Sequence, residues 1–225
     1  NDLTVSNCTF GYTEYETLSI GSCENLTITN NNFGGDGTHY FALSDHNDAY
    51  GVSICGHCYT QNPGYCSYLL VKDNVFTSNN GLKFGVVNKQ NKSLFSGNLF
   101  YNIAKDAYSL PYEVPVPVIT SVKESGDYIV VTGSIDTVAV ATIELFYTDQ
   151  TDQTATELVS SFSTEEDGSF EYRITKNKYQ GRRSVGFTAT ATYDNKITSD
   201  LSKVTYLKEK EIDLTLLNYY VKENG

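Results

Sequence analysis

Residues 26–33 read Leu26-Thr27-Ile28-Thr29-Asn30-Asn31-Asn32-Phe33: apolar and polar residues alternate, three asparagines interrupt them, and a phenylalanine follows. Three further stretches share this grammar. They are Leu3-Thr4-Val5-Ser6-Asn7-Cys8-Thr9-Phe10, Leu69-Leu70-Val71-Lys72-Asp73-Asn74-Val75-Phe76 and Ser93-Leu94-Phe95-Ser96-Gly97-Asn98-Leu99-Phe100. Recurrence at a spacing of roughly 20 to 50 residues is the signature of stacked repeats, and alternation with period two predicts strands with one buried face. Apolar companions follow the copies, at Leu18 and Ile20, Val52 and Ile54, and Leu82 and Phe84 with Val86. The reading is a coil of at least two short strands per repeat, with successive coils joined by parallel pairing at about 4.8 Å. In such a stack Asn31, Asn74 and Asn98 form an amide ladder continued by Cys8. An asparagine side chain both donates and accepts, so the ladder can hydrogen-bond along its length. Phe10, Phe33, Phe76 and Phe100 form a stack of rings just past each turn.

With these motifs, residues 1–108 resemble the right-handed parallel β-helix repeats of pectate-lyase-like proteins, which have an internal asparagine ladder and an aromatic stack. The resemblance implies about four coils at the C-terminal end of a longer β-helix. It implies no particular activity, because that fold carries lyases, hydrolases, epimerases, tailspikes and adhesins, and function belongs to sites. Lyases of this kind use Lys or Arg against uronates, whereas no arginine precedes Arg173. A hydrolase needs paired carboxylates about 5 to 9.5 Å apart, and Asp45 and Asp48 are the one attractive pair.

The gap between the second and third copies is nearly twice the others. It is read as one coil with two outgrown loops, at 34–49 and 55–67, which carry all three histidines, His39, His46 and His57. Loops on a rigid scaffold are where ligand contacts concentrate, so His39, Asp45, His46, Asp48 and His57 are candidates for binding a ligand or a cation such as calcium; a plain Asx-type turn accounts for the same residues. The five cysteines all fall in the first 66 residues. Cys58 and Cys66 are disulfide candidates, and no second Cys pair completes a zinc site. Asn7, Asn25 and Asn91 open glycosylation sequons.

The chain changes character after residue 108. Pro111, Pro115 and Pro117 mark a linker at 109–117, and six short alternating segments with Asp-Gly, Gly-Asp and Asp-Asn turns fill 118–206. The run through "VTGSI", "ATIELFYT", "EDGSFEYRI" and "VGFTATATYDNKITSDLS" is similar to the Ig-like modules of bacterial surface proteins, which implies a β-sandwich. Tyr147, Tyr172, Arg182 and Arg183 are contact candidates in it, although "KYQGRRS" also reads as a solvated turn. Residues 207–225 form an extension, a strand or a linker.

A net charge of −11 spread along the 225 residues disfavours nucleic acid and anionic lipid, which clustered Lys and Arg hold. No apolar run of membrane-spanning length occurs. The expectation is therefore an all-β extracellular or cell-surface protein, structural or adhesive, without catalysis in this chain. It would bind a glycan or a surface protein, or neighbouring copies of itself in an assembly. The alternative is the C-terminal portion of a carbohydrate-active β-helix enzyme with an accessory Ig-like domain.

Overall fold

The computed structural model describes residues 2–11, 18–20, 23–34, 52–54, 66–77, 82–84, 92–101, 103, 107–109, 113–137, 139–149 and 154–208. They are all-β, with a single 3-10 turn at Lys176–Tyr179. Numbered along the chain, the strands of the first half form three parallel ladders. The first joins β1 (Asp2–Ser6), β4 (Cys23–Thr29), β7 (Cys66–Lys72) and β10 (Lys92–Ser96), with Leu3, Leu26, Leu69 and Ser93 in one register. The second joins β2 (Thr9–Phe10), β5 (Asn32–Phe33), β8 (Val75–Thr77) and β11 (Leu99–Tyr101). The third joins β3 (Leu18–Ile20), β6 (Val52–Ile54), β9 (Leu82–Phe84) and β12 (Tyr108–Ser109). Val52–Ile54 thus lies between Leu18–Ile20 and Leu82–Phe84 in the third ladder.

Alternation sets the inward face: Leu26, Ile28, Leu69, Val71 and Phe95 are fully buried, while Thr27, Leu70 and Leu94 between them are half-buried. The second ladder brings Phe10, Phe33, Phe76 and Phe100 into a column, with centroids 4.9, 4.9 and 5.1 Å apart and rings within 11° of parallel. That spacing is the strand spacing itself, so each ring sits on the next without distorting the ladder.

Between the first and second ladders the chain turns sharply, and each turn passes through left-handed backbone. The residues that take it are Asn7, Asn30, Asp73 and Gly97, with φ of 56°, 56°, 55° and 63°. Asn, Asp and Gly are the residue types that visit this region at least cost. One position later Asn31, Asn74 and Asn98 point inward. Each Nδ2 donates to a carbonyl of the rung before, Val5, Ile28 and Val71 respectively, at 2.9 Å. Asn31 and Asn74 donate again to the Oδ1 of the next asparagine at 3.0 Å, and each Oδ1 accepts the backbone N–H of the rung before.

The second half packs two antiparallel sheets face to face as a β-sandwich. One contains β13 (Val118–Ser125), β14 (Tyr128–Ser134) and β17 (Ser169–Thr175). The other contains β15 (Ala141–Thr148), β16 (Glu157–Ser163), β18 (Gly186–Tyr193), β19 (Ile197–Thr198) and β20 (Thr205–Tyr206). Strand β15 is buried on both faces. Ala141, Ile143, Leu145 and Tyr147 join Ile129, Val131, Phe187, Ala189 and Ala191 in the sandwich core. Phe146 turns the other way, into the core of Phe33, Phe76, Phe95 and Phe100.

The second half therefore covers the last rung of the first. Strand β19 pairs in parallel with β10 at Ser93 and Ile197. Phe100 of β11 exchanges two backbone hydrogen bonds with Ala155, at 2.9 and 3.0 Å, and the Tyr108 N–H of β12 donates to Asp200 Oδ1 at 3.2 Å. At this rung the first two ladders end on backbone partners instead of on open edges, which removes a template for unwanted pairing, and the third meets the Asp200 carboxylate.

This arrangement corrects the family resemblance. The parallel strands do not form a self-contained right-handed β-helix of the pectate-lyase kind, with about four coils and a separate module strung behind it. Their first ladder continues through β19 into the antiparallel strands, making one mixed nine-stranded sheet in the order β1-β4-β7-β10-β19-β18-β15-β16, with β20 on β18. The repeats specify what lies above and below each strand. They contain nothing about what the last strand meets, and that partner comes from residues about a hundred positions later.

Candidate functional site

Of the residues singled out by sequence, His39, Asp45, His46, Asp48, His57, Cys58 and Asn91 lie outside the described residues, as do 209–225 of the C-terminal extension. Cys66 is on β7, where its backbone is in register with Cys23 of β4. Cys8 is exposed and free, its thiol donating to the Ser6 carbonyl at 3.2 Å. Asn7 and Asn25 are exposed, and Asn25 Nδ2 donates to Asp2 Oδ1 at 2.6 Å. Asn31, Asn74, Asn98, Phe33, Phe76 and Phe100 are buried in the parallel array. Their groups face one another and are closed to a ligand.

Two constellations stand out, one absent from the sequence reading and one that gathers Arg182 and Arg183, already contact candidates, with residues the sequence did not connect to them. The first is Glu144, on the β15 face that meets the parallel array and only 7 % exposed. Ser96 Oγ donates to its Oε1 at 2.6 Å and the Gly97 N–H to its Oε2 at 2.9 Å. Burial raises its pKa above the usual carboxylate value, and nearby Asp73 adds to the rise; the hydrogen bonds from Ser96 and Gly97 and the charge of Lys72 oppose it. The carboxylate is a clasp holding the last left-handed turn against the sandwich. "ATIELFYT" places a glutamate among apolar residues, which was the available signal, but only the pairing shows what it meets.

The second is a cleft of about 420 Å³ at the edge of the sandwich, lined by Lys123, Glu124, Arg182, Arg183, Leu207 and Lys208 among others. The 3-10 turn buries Tyr179, and Gly181 at φ +78° swings the chain back so that Arg182 and Arg183 leave toward β13. The Leu207 N–H donates to the Val185 carbonyl at 2.8 Å and closes the wall. Arg182 is held from behind, its guanidinium 5.4 Å from the centroid of the Tyr147 ring, a cation–π contact. Tyr147 stacks on Tyr179 at 4.5 Å and donates its hydroxyl to the Ser184 carbonyl at 3.2 Å. Glu124, the carboxylate of the lining, is paired with Lys176; Glu157 on β16 is paired with Lys178 at 2.6 Å. Lys123, Arg183 and Lys208 have no ion-pair partner among the described residues.

Among those residues no group of three His, Cys, Asp or Glu side chains is placed to hold a metal, and no helix is long and apolar enough to cross a membrane. No protein-family model matches the chain, and the comparison with curated proteins finds no match.

Proposed function

We propose that this chain is a surface-exposed or secreted structural protein that works by binding, carrying contact sites for a glycan or a protein partner within an extracellular assembly, without catalysis of its own. The observation that supports this reading most is the continuous nine-stranded sheet. Backbone pairing runs from β1 to β16, joined between the halves where β10 meets β19 at Ser93 and Ile197, which suits a part that must hold a site at a fixed position. The sandwich of 118–206 is read as an Ig-like module built into the same rigid support. Its two sheets close around one core, and its β15–β18 sheet is sealed to the array instead of being free as in a spacer.

The test is retention of the purified chain on immobilised neutral, uronate-bearing and sulfated polysaccharides and on cell-envelope protein, assayed together with the release of reducing ends and unsaturated uronates. Retention with no bond broken supports the proposal. Bond cleavage, or no retention on any surface, overturns it.

A further inference from the structure

We propose that the cleft between β13, the turn 181–185 and residues 207–208 is a binding site for a short acidic saccharide, engaged through its carboxylate or sulfate group. This inference rests on the binding role proposed above and names where and what. Four cationic residues, Lys123, Arg182, Arg183 and Lys208, line one cavity, and the carboxylate among the lining residues is already neutralised by Lys176. The chain has only three arginines in all and a net charge of −11, so gathering two of them here with two lysines runs against its composition. Like charges held together oppose folding unless an anion joins them. Arg182 is held in place by the Tyr147 ring, and a positioned guanidinium fork matches the paired oxygens of a carboxylate or sulfate.

Size and surroundings narrow the ligand. A cavity near 420 Å³ is in the range of small-ligand sites, and the acidic remainder of the molecule repels an extended polyanion. Ser184 beside Val185 and Leu207 offers polar and apolar contact together, which a sugar ring with hydroxyl edges and C–H faces can use and a bare inorganic anion cannot. The shared chemistry is an anionic group; the saccharide is the source argued for.

The experiment is an isotope-edited NMR titration of the full chain with a uronate-containing disaccharide, its neutral analogue and sodium sulfate as separate arms, with the double variant Lys123→Gln/Arg183→Gln beside the parent. Both substituted side chains are exposed, and an unchanged melting temperature shows that the variant folds. The expected result is amide shifts at 182–185 and 207–208 with the acidic disaccharide, at least tenfold weaker binding by the variant, and severalfold weakening between 50 and 300 mM salt. Equal binding of the neutral analogue, equal binding of sulfate alone, or an unaffected variant overturns the inference. So does a tenfold gain on replacing Glu209 and Glu211 by glutamine, which would mark the chain's own acidic segment as the occupant. Retention on polysaccharide surfaces without shifts at the cleft rejects this site and leaves the binding role standing; loss of both rejects both.

Discussion

Asn74 makes more hydrogen bonds than any neighbour in the amide column. Its Nδ2 shares two hydrogens among the carbonyls of Ile28 and Lys72 and Asn98 Oδ1, and its Oδ1 accepts from the Asn31 backbone and side chain. Replacing it by alanine leaves several fully buried groups unpaired, at about 1–3 kcal/mol for each one that water cannot reach. Asn74→Ala is expected to lose about 3 kcal/mol or more, read as a lower urea midpoint with an unchanged slope. Glu144 behaves differently, because it is an acid whose burial raises its pKa in the fold. The folded state then holds the proton more tightly than the unfolded chain does. Its contribution to stability is complete below the unfolded carboxyl's pKa and is lost as pH rises through the higher folded value. Glu144→Gln keeps an acceptor for the Gly97 N–H and lets the amide donate to Ser96. The variant is expected to match or exceed the parent in melting temperature at pH 7 and to flatten the decline in stability above the ordinary carboxylate range. A steeper decline in the variant contradicts this account.

At the scale of elements, the ring column and the left-handed turns reinforce each other. The turn residue decides where the strand ends, and the ring three positions later lands on its counterpart because every turn has the same geometry. Gly97 shows how tight the fit is: a Cβ there would come within 2.3 Å of Asp73 Oδ1, at a φ that side chains disfavour. Within the column, Phe76 is stacked on both faces and fully buried, whereas among the described residues Phe10 has a ring on one face and is half-buried. Phe76→Ala is expected to cost about 3–5 kcal/mol, and Phe10→Ala clearly less, measured side by side by chemical denaturation. Equal losses would show that the column does not transmit its packing from rung to rung.

For the whole molecule the decisive feature is that two cores share a sheet. Phe146 belongs to the core of the parallel array while its neighbours Leu145 and Tyr147 belong to the sandwich. The N–H of Phe95 donates to Thr198 Oγ1 at 3.1 Å, so neither half satisfies its own backbone at the junction. Calorimetry is expected to show one cooperative transition. Phe146→Ala is expected to lower that single transition and to speed hydrogen exchange at β10 and β11 as well as in β15. Two separate transitions would show that the halves are independent bodies in contact.

The sequence by itself determined the all-β class and which strands stack on which. A period-two pattern has one inward face, and copies beginning at Leu3, Leu26, Leu69 and Ser93 meet in one register because each repeat carries its own turn chemistry. The asparagines at 31, 74 and 98 were legible as an amide ladder; that the residue before each turn position, at 7, 30, 73 and 97, takes the left-handed conformation was not. Only tertiary structure decided how the array ends, why Glu144 is buried, and where Arg182 and Arg183 meet Lys123 and Lys208. Those contacts join residues dozens to a hundred positions apart with no repeat to align them, so no local pattern encodes them. They arise when the two-faced strand β15 folds one face onto the sandwich and the other onto the last rung.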